Sequence, residues 1–135
     1  MIIKKEDIHE VIVCDENDSI LEVSLMLRDS LSKHCIVVDG EDKPIGMISI
    51  QDIVYRGVGS EMNLRETSIK EIMSKELKTL AIETSKEELE ELLIESSIHF
   101  YPITENGILI GGIDIWSLCH CLDKCERNQY EVLKK

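Results

Sequence analysis

Pro44-Ile45-Gly46-Met47-Ile48-Ser49-Ile50-Gln51-Asp52-Ile53-Val54 is the stretch whose reading decides the fold. An apolar run crosses a glycine and then meets a hydroxyl and a carboxylate three residues apart, the pattern of a strand turning into a helix. Gly46, without a Cβ, lets another backbone or a ligand come close. Ser49 falls where the strand hands over to a helix whose unpaired N–H groups favour anions. Asp52 falls about one turn into that helix, on the same side as Ser49. A second stretch of this kind, Leu109-Ile110-Gly111-Gly112-Ile113-Asp114-Ile115-Trp116-Ser117-Leu118, stands further along the chain. The chain therefore reads as two copies of one unit.

Working outward, the copies superpose at an offset of 66 residues. Glu10-Val11-Ile12-Val13-Cys14 lies over Glu76-Leu77-Lys78-Thr79-Leu80, each a short strand. Ser19 lies over Ser85, each a helix N-cap. Ile20, Val23, Leu27 and Leu31 then recur at helical spacing, and Lys86 to Leu93 forms the matching helix. Its Glu87, Glu88, Glu90 and Glu91 lean towards the positive dipole end and read as a solvated face rather than a catalytic pair. His34 to Asp39 lies over Phe100 to Glu105, a second strand. A loop follows in one copy and the hairpin signal Asn106-Gly107 in the other. The shorter hairpin loop drops the offset to 65, which sets Gly46 over Gly111, Ser49 over Asp114 and Asp52 over Ser117. Each unit reads strand, helix, strand, strand, helix, an α+β class. The expected division is 1–60 for the first repeat, 61–67 for the linker, 68–123 for the second repeat and 124–135 for a polar tail that extends the last helix or frays. The linker character begins near Arg56, and Ile3 to Ile8 and Ser68 to Met73 read as matching lead-ins.

With 135 residues and 43% hydrophobic composition, there is material for one compact domain or two small units. The net charge of −12 argues against nucleic acid and anionic membrane surfaces as partners. No apolar run reaches a membrane span, and Met-Ile-Ile-Lys-Lys-Glu-Asp does not begin a signal peptide, so a cytoplasmic protein is expected. The five cysteines are an odd number without a secreted framework, so reduced thiols are expected. Cys14 and Cys35, inside apolar runs, read as small hydrophobes.

The order of these elements, above all Glu10 to Leu27 with Glu76 to Leu93, Ile36-Val37-Val38-Asp39 with Pro102-Ile103-Thr104-Glu105, and Gly46 to Asp52, resembles the CBS domain. The likeness runs from about residue 3 to 122, as in a tandem CBS pair, or Bateman module. That resemblance implies two repeats packed about a pseudo-two-fold axis, with clefts that take adenosine-containing ligands: AMP, ADP, ATP or S-adenosylmethionine. It implies a free-standing regulatory module rather than an enzyme, pairing as a homodimer through its helices and acting on a regulated partner. By the family pattern, Asp52 holds the ribose and Ser49 the phosphate, chemistry that suits a carboxylate acceptor and a hydroxyl donor. Lys33 and His34 face the phosphates or are solvated loop ends. Met73, Lys78, Ile98 and His99 then surround the base. For Asp52 the plainer reading is a carboxylate complementing the helix dipole. In the second cleft Asp114 replaces the hydroxyl and Ser117 the carboxylate, so a phosphate is repelled there and that cleft is expected to be weak, empty or suited to an uncharged adenosine moiety.

Three further features bear on rival readings. Cys121 and Cys125 share a helical face and would chelate a soft metal only with His120 or a partner chain; Cys119 points to another side, and the spacing matches no common zinc pattern. Inert or interfacial thiols, and no bound metal, are the expectation. Trp116 reads as a core or dimer-face residue. No Ser/His/Asp order, His-Glu-x-x-His or phosphate loop is present, and His9, His34, His99 and His120 show no ligand spacing. The alternative functions are a ligand-free docking scaffold and a metal or redox sensor on Cys119, Cys121 and Cys125.

Overall fold

The structure is a computed structural model that describes residues 1–95 and 100–123. Two compact units are present, one formed by Val11–Leu77 and the other by Met1–Glu10 with the chain from Lys78 onward.

In the first unit, β1 (Val13–Asp15) lies parallel to β2 (His34–Val38), and β2 lies antiparallel to β3 (Pro44–Ser49), in the order β1-β2-β3. Parallel neighbours need a crossover, supplied by α1 (Ile20–Ser30). Its start is a full capping box: Ser19 Oγ accepts from the Glu22 N–H at 3.0 Å, and the Ser19 N–H donates to Glu22 Oε1 at 3.3 Å. Ile20, Val23 and Leu27 are buried as their spacing predicts, but Leu31 is not. Leu31 ends the helix in the left-handed conformation, φ 56°, and is 90% exposed. The chain must leave the helix there to reach β2, and the Ser32 N–H satisfies the Leu27 carbonyl. After β3 comes α2 (Ile50–Asp52), which widens without a break into a π-helical turn over Ile53–Val58.

The second unit repeats this plan. There β4 (Leu80–Ala81) is parallel to β5 (Phe100–Glu105), which is antiparallel to β6 (Ile108–Asp114). Helices α3 (Lys86–Glu95) and α4 (Ile115–Asp123) follow β4 and β6. The Asn106-Gly107 turn has φ of 54° and 81°, the two positive values a tight hairpin turn needs. Ser85 Oγ accepts from the Glu88 N–H at 3.3 Å, as its N-cap reading requires.

Each lead-in belongs to the unit built on the other repeat. Residues Ser68 to Ser74, with a 3-10 turn over Ile69–Glu71, belong to the first unit, where Ile69 and Ile72 sit in its core. Residues Ile3 to His9, with a 3-10 turn over Lys5–Asp7, belong to the second, where Ile3 is fully buried. Met47 exchanges both backbone bonds with Ser74 (2.9 and 2.8 Å), and Gly112 does the same with His9 (2.9 and 3.0 Å). Each glycine of the repeat makes room for this. A Cβ on Gly46 would lie 2.9 Å from the Ser74 carbonyl oxygen, and one on Gly111 would lie 2.7 Å from that of His9. The close approach read at Gly46 is therefore made by backbone. The stretch from Arg56 to Glu71 is not a spacer either. Gly57 is buried, Met62 and Leu64 pack on the core, and the carbonyls of Thr67 and Leu64 accept from the N–H groups of Ile20 and Leu21 at 3.0 and 2.8 Å. Two of the unpaired donors at the start of α1 are thus satisfied. The tail 124–135, including Cys125, lies outside the described residues, as do Ile98 and His99. Among the described residues no helix is long and apolar enough to cross a membrane.

Candidate functional site

Ser49 is the last residue of β3 and the N-cap of α2, so a strand end and a helix start fix it together. Its hydroxyl accepts from the Asp52 N–H at 3.2 Å and donates to Asp52 Oδ2 at 3.0 Å, while its own N–H donates to that same oxygen at 2.9 Å. The two residues singled out by sequence are therefore joined as a capping box, and the helix-start role of Asp52 is real. One carboxylate oxygen is committed to Ser49. The other, Oδ1, faces the Arg56 guanidinium, whose Nε lies 3.9 Å away, and the Asp52 side chain keeps 20% exposure. Arg56 also donates from Nη1 to the Ile72 carbonyl at 3.3 Å. Sequence reasoning left Arg56 at the edge of a linker, although its place four residues after an aspartate on a helix is a recognised pairing distance.

His34 stands directly across the β2–β3 ladder from Ser49, and the Lys33 carbonyl accepts from the Ile50 N–H at 3.0 Å. The start of β2 and the start of α2 are thus held together, and Lys33, His34, Ser49 and Asp52 come to one end of the first unit. The two basic residues, Lys33 and His34, differ in charge. Burial lowers the His34 pKa from its ordinary 6.5, which leaves the imidazole neutral near pH 7 and Lys33 as the standing positive charge. Met73 belongs to the same unit and packs its thioether against Gly46, at the margin of the core. Lys78 belongs to the other unit, where it lines a hollow of about 400 Å³ with Thr79, Thr84, Glu88 and Glu91.

The second unit makes the cap with the roles reversed. Asp114 is the capping residue: its Oδ1 accepts from the Ser117 N–H at 2.8 Å and its Oδ2 from the Ser117 hydroxyl at 3.1 Å. His9 Nε2 lies 3.9 Å from Asp114 Oδ2. Phe100 occupies the register position that His34 has in the first unit. A carboxylate thus stands at the helix start where the first unit has a hydroxyl.

The four thiols among the described residues are core groups. Cys119 and Cys121 point to different sides of α4 and are nonetheless both buried in the second unit's core, because Leu118, Cys119, Cys121 and Leu122 together give that helix a wide apolar face. Burial, then the Asp114 charge, raises the Cys119 pKa. Cys14 and Cys35 are buried in the first unit's core, and a side-chain hydrogen bond of the Cys14 thiol with Cys35, followed by burial, raises the Cys14 pKa strongly. Such thiols are poor nucleophiles and poor ligands. No cluster of three or more metal-binding side chains occurs among the described residues. Trp116 is 68% exposed and is not a core residue.

The family model of the CBS domain matches residues 6–59 and again 69–124. An uncharacterised protein of Methanopyrus kandleri is 28% identical over 103 residues, which cover 76% of this chain and 53% of that protein, so the chain spans about half the length of this relative. Among solved structures, the CBS domain protein PAE2072 of Pyrobaculum aerophilum, complexed with AMP, matches with a TM-score of 0.68 at 20% identity, over 98% of this chain and 95% of that one. CbpB in complex with c-di-AMP matches with a TM-score of 0.73 at 16% identity, over 93% and 87% of the two chains.

Proposed function

The chain belongs to the CBS-domain family, as a tandem pair, and on that premise we propose that it is a regulatory module sensing an adenosine-containing ligand through Ser49 and Asp52. The observation that carries the reading is the hydrogen-bonded Ser49–Asp52 pair at a helix start with Lys33 and His34 at the same end of the unit. Relatives of this fold complexed with AMP and with c-di-AMP support adenine nucleotides as the ligand class.

The geometry suggests an exchange of partners. The Ser49 hydroxyl donates a hydrogen bond to Asp52 Oδ2. If the hydroxyl turned to donate that hydrogen bond to a phosphate oxygen instead, one lone pair of Oδ2 would be freed, and a ribose hydroxyl can then donate to it. The Ser49 N–H continues to hold the carboxylate throughout. No buried polar group is left unpaired, so neither step carries the desolvation cost of an orphaned donor or acceptor. The ligand acts as an effector rather than a substrate, and it shifts the module only by binding one conformation better than another. The module would act as a cytoplasmic homodimer on a regulated partner. Exposed Ile50, Val54, Tyr55 and Val58, beside an apolar groove of about 470 Å³ lined by Leu27, Leu31 and Ile53, support a helix-face contact.

Thermal unfolding with AMP, ADP, ATP, S-adenosylmethionine and NADH at millimolar concentration tests the reading. A ligand at a hundred times its Kd stabilises by about 2.7 kcal/mol, a shift of several degrees. Asp52→Ala should abolish the shift and Ser117→Ala should leave it. Silence with every ligand refutes the proposal, and equal loss in both variants shows that the site is not built on Asp52.

A further inference from the structure

We infer that Arg56 is a positioning residue for the Ser49–Asp52 site, fixing its charge and thereby its preference among adenine ligands by phosphate number; this rests on the nucleotide reading of that site. Oδ2 of Asp52 is occupied by the N–H and hydroxyl of Ser49, so the carboxylate's remaining negative face is Oδ1. Arg56 Nε stands 3.9 Å from that oxygen. The guanidinium does not swing freely, because Nη1 is bonded to the Ile72 carbonyl at the end of the 3-10 turn whose Ile69 and Ile72 are anchored in the core. The π-helical turn carries the residue: Ile53 to Val58 wind with the wider spacing in which the Gly59 N–H bonds to the Val54 carbonyl at 2.7 Å.

The consequence is electrostatic. Asp52 alone would set a negative charge beside an arriving phosphate, the same fault that Asp114 brings to the second unit. With Arg56 in place the pair is neutral, and Lys33, which is exposed, adds a positive charge at the start of β2. The position equivalent to Arg56 in the second unit is Cys121, a buried thiol without charge to offer. At that helix position the first unit therefore has a fixed counter-charge, whereas the second unit's carboxylate faces the ring of His9, 3.9 Å from Asp114 Oδ2. The benefit of Arg56 grows with the charge of the ligand and vanishes for a neutral one.

The test is a matrix of dissociation constants for adenosine, AMP and ATP, measured by calorimetry on the wild-type chain, Arg56→Gln and Arg56→Lys, at low and at high salt. In Arg56→Gln, adenosine should bind within about twofold of wild type, AMP about threefold more weakly and ATP about tenfold more weakly, with the ATP loss shrinking as salt screens it. Arg56→Lys keeps the charge while losing the planar fork, so it should preserve the order of the three ligands within about threefold of wild type. Equal weakening of all three ligands in Arg56→Gln would show a merely structural strut and overturn the inference, as would no weakening. If Arg56→Gln does not fold, a lysine variant that binds the three ligands without charge preference overturns it equally. A wild-type chain that binds none of them removes the nucleotide reading itself, a result separate from any pattern among the variants.

Discussion

In the first unit the hydroxyl of Ser49 caps the helix and the carboxylate of Asp52 answers from the third helical position; in the second, Asp114 caps and Ser117 answers. Both arrangements keep a side-chain hydrogen bond between the partners, at 3.0 and 3.1 Å, and both give a backbone N–H an acceptor at the helix start. Serine and aspartate are nearly equivalent as capping residues. Folding therefore constrains this pair only up to its exchange. A phosphate distinguishes the two orders sharply, because one presents a proton donor at the cap and the other an anion. What differs between two units of the same backbone is what folding does not demand, and this is where function is to be sought.

The largest expected effect breaks the likeness of the two glycines. Gly111 has φ of 154°, and an added Cβ would overlap the Ile8 side chain and lie 2.7 Å from the His9 carbonyl oxygen. Gly46 has no such backbone constraint, and the nearest atom to its Cβ, at 2.6 Å, is the thioether sulfur of flexible Met73. Gly111→Ala should cost about 3 kcal/mol or more, and Gly46→Ala about half of that. Urea unfolding of the two variants measures the difference. Equal costs would mean that the Ser74 carbonyl, 2.9 Å from the Gly46 Cβ position, is as unyielding as the strained backbone at Gly111.

Next comes the exchange itself. The double variant Ser49→Asp with Asp52→Ser gives the first unit the second unit's cap. It should unfold within about 1 kcal/mol of wild type, since a good capping pair is kept. Its affinity for AMP should fall at least tenfold, about 1.4 kcal/mol. Stability and binding lost together would show that the order of the pair matters to the fold, and the contrast drawn above would fail.

The features legible in the sequence were those with local causes. Ser19 states a helix N-cap, which the Glu22 N–H confirms, and Asn106-Gly107 states a turn that needs two positive φ values. Repetition then multiplied weak signals into the family resemblance, which the CBS match over residues 6–59 and 69–124 bears out. What stayed hidden was non-local. Nothing within Ile3 to Ile8 or Ser68 to Met73 says which sheet each will join, because an apolar turn fits either; only the ladder bonds of His9 with Gly112 and Ser74 with Met47 decide it. Leu31 kept helical spacing but fell on the residue where the chain had to turn towards β2. The glycine-containing surroundings of Arg56 read as a linker, whereas Gly57 is buried against Ile72, Ile20 and Leu64.

The smallest effect concerns His34, which has Phe100 as its counterpart. Burial holds the folded His34 pKa below the 6.5 of an unperturbed imidazole. As pH falls below that value the unfolded chain takes up a proton that the folded chain still refuses. His34 therefore leaves stability intact above about pH 6.5 and lowers it progressively on acidification, down to the folded pKa. A bound phosphate reverses the balance, since an anion beside the ring favours the imidazolium. AMP affinity should therefore rise modestly as pH is lowered from 8 to 6, while the stability of the free protein falls. His34→Gln should remove both trends, and calorimetry in buffers of different ionisation enthalpy would count the proton taken up on binding. A proton uptake that survives in His34→Gln would assign it to another group, and the polar contrast between His34 and Phe100 would then have no part in recognising the ligand.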